Sequence, residues 1–350
     1  MFFRTTLLFS LAVLFASALP AEAGKVVLML VGDIMLAGSA SSTLSREGYE
    51  YPFAATSNIL RGSDIAVGNL ETPIARTGLE FIEKKYRFKA DPKAASAIRK
   101  TGFSVLTLAN NHIMDFGAQG LAETLQNLKK ENIHHTGAGR NLAEARTPAL
   151  VEKNGQKIAF LAYSLTYPVI FYAGLNQPGA APGYPRYFLE DIKKVKACAD
   201  YVVVSFHWGA ENAPFPKSYQ MAVAHMAIEA GADVVVGHHP HVLQGIERYK
   251  GGLILYSLGN FAFGSMSRNV DASVIAKIVL DRGVREVELF PLNVMNTEVR
   301  YQPALLKGSR GKRVISHLRD LSRRWDTEIV TKGMRYFVAE EPRETATAWR

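Results

Sequence analysis

Short runs of apolar, largely β-branched residues alternate along this chain with stretches of helical periodicity, and that alternation restricts the fold more than any other feature. Lys25–Val31 (KVVLMLV), Ile65–Gly68, Phe103–Leu108, Lys157–Ala162, Tyr201–Ser205, Val234–Val236 and Leu253–Tyr256 are short and apolar on successive residues. Strands covered on both faces have this character, whereas half-exposed strands alternate. Between them, Pro92–Lys100, Ala118–Lys130 and Ser218–Ala230 read as helices, the second with Leu121, Leu125 and Leu128 on one face. The pattern predicts an α/β domain with a largely parallel sheet. Ser273–Val279 and Val284–Leu292, joined at Asp281-Arg282-Gly283, predict a C-terminal antiparallel hairpin. Tyr167–Pro185, rich in Pro, Gly and aromatics, reads as a long loop that acts as a lid or contacts substrate. One domain over 24–300 is expected, followed by a basic extension over 301–350 with a helical stretch from Gly308 to Arg324.

The N-terminus carries Arg4, an apolar run from Leu7 to Leu19 and the triplet Ala21-Glu22-Ala23. A basic start, a short apolar middle and an A-x-A end predict a secretory signal peptide over 1–23, placing the mature chain in the periplasm or cell envelope. The run is shorter than the ~20 residues a spanning helix needs, so no stable transmembrane span is expected. Removing 1–23 takes away one base and one acid, and the net charge stays +9. That balance suits a polyanionic partner, an acidic polymer or an anionic lipid surface; export argues against nucleic acid. The single cysteine, Cys198, allows no intramolecular disulfide and is expected to be buried and inert.

Chemistry is signalled where the strands end. Five of them stop in Gly32-Asp33, Gly68-Asn69-Leu70-Glu71, Asn110-Asn111-His112, His207-Trp208-Gly209 and Gly237-His238-His239-Pro240-His241. The carboxyl ends of parallel strands share one sheet edge, so these groups should converge although they are far apart in sequence. Imidazoles with carboxylate and amide oxygens, and no thiolates, suit one or two divalent ions: zinc, manganese or iron. His239 and His241 should face one cavity, since alternate residues of an extended segment point the same way. Asp115 is placed either to orient His112 or to cap the helix from Ala118. Trp208 is either a cleft wall or a core aromatic, and Asn260, in YSLGN, is a polar contact at the same edge. The basic run Lys84, Lys85, Arg87, Lys89 is a solvated face or a grip for a polyanion.

The segments GDIMLAG (32–38), NLETPI (69–74), ANNHIMDFG (109–117), FHWGAE (206–211), GHHPHVLQG (237–245) and YSLGNFAFG (256–264) together resemble the CapA family of capsule or poly-γ-glutamate synthesis proteins, within the calcineurin-like metallophosphoesterase superfamily. The resemblance implies a four-layered α/β sandwich. It also implies divalent metals and work on an anionic envelope polymer, alone or within a synthesis or export complex. It assigns Asp33, Asn111, His207, His239 and His241 as metal ligands and His112 as the acid or transition-state stabiliser. Asn69, Trp208 and Asn260 are read as substrate contacts. Two positions depart from the superfamily: Met35 stands where phosphoesterases carry histidine, and Asn69 where they carry a bridging aspartate. Either Glu71 supplies the bridge, or one metal position is weak. Two functions follow: a metal-dependent hydrolase of a phosphoester or polyglutamate amide, or a non-enzymatic envelope factor that binds the polymer.

Overall fold

The computed structural model describes residues 24–267 and 269–340; the expected signal segment 1–23 lies outside the described residues. Strands β1 (Val26–Met35), β2 (Ile65–Leu70) and β3 (Phe103–Thr107) run parallel, with His134–Thr136 beyond them. On the other side of β1 lies Ala272–Leu280, antiparallel to it and to Val284–Asn293. Asn260–Phe263 pairs in parallel with the C-terminal end of β1. The second sheet has six strands, in the order Ile246–Tyr249, Gly252–Leu255, Val234–His238, Tyr201–His207, Gln156–Ser164, Ala149–Lys153. Its inner four are parallel and its edge pairs antiparallel.

The two sheets pack face to face. Leu28, Leu30, Val67, Val105, Ala276 and Leu289 of the first meet Ile158, Phe160, Val203, Val234, Val236 and Leu255 of the second in one core. The alternate residues Met29, Val31 and Ala66 face outward under Ala94, Ile98, Leu121 and Leu128 of the helices Lys93–Thr101 and Gly117–Lys130. Val202, Val204 and Val235 face the helices Pro185–Lys196 and Ser218–Glu229. The result is a four-layered sandwich, and it explains why the strands read as unbroken apolar runs: both faces are covered.

β1, Tyr201–His207 and Val234–His238 keep pairing through Asp33, His207 and His238, while Glu71, Asn111, His239 and His241 lie just past the ends of their strands. Three expectations change. Tyr167–Pro185 is pinned by a 3-10 turn at Val169–Phe171 and by Gly179–Ala180 pairing with Ala138–Gly139, with Phe171 and Ala181 buried. Residues 301–340 pack into the domain: Ile329–Lys332 and Arg335–Val338 extend the first sheet, and Gly308–Ser322 seats Ile315, Leu318 and Leu321 in the inter-sheet core. Cys198 is exposed, because it falls just past the end of Pro185–Lys196, beyond the buried stripe of that helix. Among the described residues, no helix is long and apolar enough to cross a membrane.

Candidate metal centre

The sheets bring their carboxyl ends together, and local irregularities aim the side chains. Between Leu30 and Asp33, three steps of β1 oppose two of β2, a bulge that reverses the strand's parity. Leu30 and Asp33 therefore both face the second sheet. The bulge needs glycine at 32: a Cβ there would lie 1.8 Å from the Gly259 carbonyl oxygen. On β2, plain alternation continues from Val67 to Asn69 and on to Glu71. On the second sheet, Val234 and Val236 face inward, so His238 does too.

Beyond His238 the chain turns. His239 and His241 take φ of +93° and +61°, left-handed values that side chains other than glycine adopt at a cost of about 1–2 kcal/mol each. Their rings share one cavity, with centroids 5.9 Å apart, but the left-handed turns put them there. The expected strand-like alternation of this pair is not the cause.

Asp33, fully buried, is the hub. Its Oδ1 accepts from the Asn69 amide at 2.9 Å and lies 3.0 Å from His238 Nδ1; its Oδ2 lies 3.2 Å from both the His239 backbone N–H and His241 Nδ1. His241 Nδ1 also meets Asn260 Oδ1 at 2.9 Å. His207 Nε2 is 2.8 Å from Asn111 Oδ1 and 3.5 Å from Glu71 Oε1. The six expected ligands, Asp33, Glu71, Asn111, His207, His239 and His241, are thus one cluster.

Three groups hold donor atoms within 4.8 Å of one another: Glu71–His207–His239, Asp33–Glu71–His241 and Glu211–His239–His241. Glu71 belongs to two of them, the arrangement of a carboxylate between two ion positions. Glu71 Oε1 and His239 Nδ1 are buried with no hydrogen-bond partner among the described residues. An orphaned buried polar atom costs about 1–3 kcal/mol, and a cation would satisfy both. The donor set therefore fits a divalent ion bound through nitrogen and oxygen.

The electrostatics agree. Burial pushes the Glu71 carboxyl well above its ordinary range, and the charge of Asp33 pushes it further. Burial also opposes ionisation of Asp33, but the close imidazoles of His238 and His241, 3.0 and 3.2 Å away, outweigh it and hold that carboxyl well below the usual range. His207 is driven well down by burial and by His239. His239 falls to about 3 by burial and the charge of His241. His241 rises to about 9: burial opposes this, but Glu71 and Asp33 prevail. Neutral His207 and His239 are ready to ligate, while a proton on His241 supplies the positive charge this cluster of acids lacks.

His112 lies at the rim. Its Nδ1 is 2.7 Å from Asp115 Oδ2, so Asp115 orients the ring; the helix that follows is capped at Phe116, without a side-chain contribution from Asp115. Asp115, 1% exposed, also accepts from Lys84 Nζ at 2.7 Å and from the Phe88 backbone N–H at 2.9 Å. Met35 is fully buried and packs with Ala37, Phe263 and Phe88.

Two expected substrate contacts are displaced. Trp208 is fully buried, stacked on Phe206 at 5.1 Å and donating to the Tyr256 carbonyl, so it is core rather than cleft wall. Asn69, 1% exposed, donates to Asp33 and accepts from Asn110, which closes it off from a polymer. Asn260 stands beside Asp33 on the neighbouring strand, and its side chain meets His241. Glu211 was not singled out as a ligand from the sequence; its place four residues after His207, inside FHWGAE, was the available signal.

The family model described as "Bacterial capsule synthesis protein PGA_cap" matches residues 27–265. The chain is 35% identical over 281 residues to "Capsule biosynthesis protein CapA" of Bacillus anthracis, covering 78% of this chain and 68% of that one. It is 34% identical over 302 residues to "PGA biosynthesis protein CapA" of Bacillus subtilis, covering 85% and 79%. Among solved structures, a hypothetical protein from Thermus thermophilus superposes with a TM-score of 0.50 at 17% identity, covering 76% of this chain and 99% of that one.

Proposed function

Because the chain belongs to the bacterial capsule synthesis (PGA_cap) family, we propose that it is an exported accessory protein of capsule or poly-γ-glutamate synthesis that acts on the anionic polymer through a divalent metal centre. The observation that carries this reading is the pair of orphaned donors, Glu71 Oε1 and His239 Nδ1, among neutral imidazoles and carboxylates. Asp33, Glu71, Asn111, His207, His239 and His241 would hold the ion or ions. Bound there, a divalent ion supplies Lewis-acid polarisation and a water of lowered pKa.

The chain's own groups do the rest. Asp115 fixes the Nδ1–H of His112 and leaves Nε2 to exchange a proton with substrate. Burial of the cluster excludes water and strengthens each charge interaction.

One observation favours a second reading, binding without cleavage. Met35 occupies the position where phosphoesterases of the superfamily carry a histidine, and it packs against Phe88 and Phe263 instead of offering a donor. A centre short of one nitrogen ligand grips an anion more readily than it turns one over. Metal analysis of the purified protein, followed by turnover assays on phosphoesters and on poly-γ-glutamate with manganese, zinc and iron, separates the two. Metal-free wild-type protein that gains no ion on incubation would refute the metal reading. Loss of metal in His239→Ala with undiminished polymer production would refute the catalytic one.

A further inference from the structure

The strap from Glu83 to Lys89 is built into the rim of the metal centre. Phe88 is wedged between the His112 ring, at 4.9 Å, and the Met35 side chain. Arg87 donates to the Lys84 carbonyl at 2.7 Å and pairs with Glu80, which ties the strap to itself. Asp115 grips both ends, taking Lys84 on Oδ1 and the Phe88 N–H on Oδ2. The methionine that replaces a histidine thus forms the apolar seat for Phe88, and the strap seated there delivers Lys84.

The Lys84 ammonium is held by Asp115 Oδ1 and by the Asn111 carbonyl. It also lies 3.2 Å from His112 Nδ1, but that nitrogen's proton faces Asp115 Oδ2 at 2.7 Å, so the third Lys84 N–H has only the face of the Phe171 ring, 5.1 Å from the ammonium, among the described residues. The side chain is 18% exposed, and its charge is felt at Glu71 and His239. A purely structural ion pair needs no such position. Resting on the reading of the site as one for an anionic polymer, we infer that Lys84 is a substrate-binding residue: its third N–H takes an anionic oxygen of the polymer, a carboxylate, beside His112. Of the four cations in the run, Lys84 alone contacts the groups that flank the donor cluster. Lys89 lies over Phe116 and contacts the Arg76 and Thr77 carbonyls, away from it.

The test is calorimetric titration of a γ-linked glutamate pentamer into the full-length, metal-loaded protein, with Lys84→Gln, Lys84→Met, Lys84→Arg and Lys89→Gln in parallel and metal content measured on each. A lost charged hydrogen bond predicts roughly 10- to 100-fold weaker binding for Lys84→Gln at unchanged metal content. Lys84→Arg should recover most of it, and Lys89→Gln should change it by less than about twofold. Lys84→Met replaces the ammonium over the Phe171 ring with an unbranched apolar chain and stands in if the glutamine variant does not fold. Equal affinity for wild type and either neutral variant overturns the inference, as does wild type that binds inorganic phosphate but not the pentamer. In both cases retained metal leaves the metal centre standing, so the two failures are distinguishable.

Discussion

Glu71→Gln separates a metal ligand from a structural carboxyl. Without a cation, burial and the neighbouring Asp33 charge push the Glu71 carboxyl strongly toward its protonated form, and an amide is close to isosteric with that form. The metal-free variant should therefore match metal-free wild type within about 1 kcal/mol. With metal the two must diverge. At free metal 100-fold above its dissociation constant, linkage stabilises wild type by about 2.7 kcal/mol. For a chain of this size, the unfolding entropy makes that roughly 1.5 °C per kcal/mol, hence a shift of about 4 °C. The variant loses the carboxylate that belongs to both Glu71–His207–His239 and Asp33–Glu71–His241, so most of that shift should vanish. Scanning calorimetry at pH 7, in chelator and in manganese or zinc, reads both quantities. A variant that responds to metal like wild type would refute Glu71 as a ligand. A metal-free variant several kcal/mol less stable would refute the protonated carboxyl.

Three further outcomes are expected. In chelator, His241, raised to about 9, contributes stability that is complete below its unfolded pKa near ~6.5 and is lost as pH rises through 9; His239, lowered to about 3, contributes stability that is lost as pH falls from ~6.5 toward 3. Urea midpoints against pH should show both flanks, and a flat profile between pH 7 and 9.5 would count against the His241 assignment. Asp115→Ala removes the acceptor for Lys84, Phe88 and His112 together; it should cost roughly 2–4 kcal/mol by denaturant unfolding and expose the 84–88 strap to protease. Gly32→Ala puts a methyl group 1.8 Å from the Gly259 carbonyl and should cost more than about 4 kcal/mol, read as insoluble expression or lost circular dichroism.

Much of this was legible in the sequence. The doubly covered strands gave the α/β class and its largely parallel sheet, the family resemblance implied the four-layered sandwich, and the polar residues at the strand ends gave the cluster, because parallel strands share a carboxyl edge. Asn69 and Glu71 follow from simple alternation on β2. Features that depend on distant contacts were hidden. The bulge that turns Asp33 inward is fixed by Gly32 lying against Gly259, 227 residues away, so no local pattern marks it. The left-handed turns at His239 and His241 hold against local preference, and helical periodicity says nothing of Cys198 once the helix has ended. Trp208 shows the same limit: beside a ligand in sequence, it points to the opposite face of its strand and into the core.

The donor atoms are divided between the two sheets: Asp33, Glu71 and Asn111 come from the first, and His207, His239 and His241 from the second. An ion held by both sets is a clasp across the seam of the sandwich. Parting the sheets would strip the ion of half its ligands, and losing the ion would leave Glu71 Oε1 on one side and His239 Nδ1 on the other buried without a hydrogen-bond partner among the described residues. Ion occupancy and opening of the interior are therefore one coupled equilibrium. Hydrogen exchange in the inter-sheet strands should slow with metal far from the cluster itself, and a substitution that loosens the core should weaken ion binding without touching a single ligand.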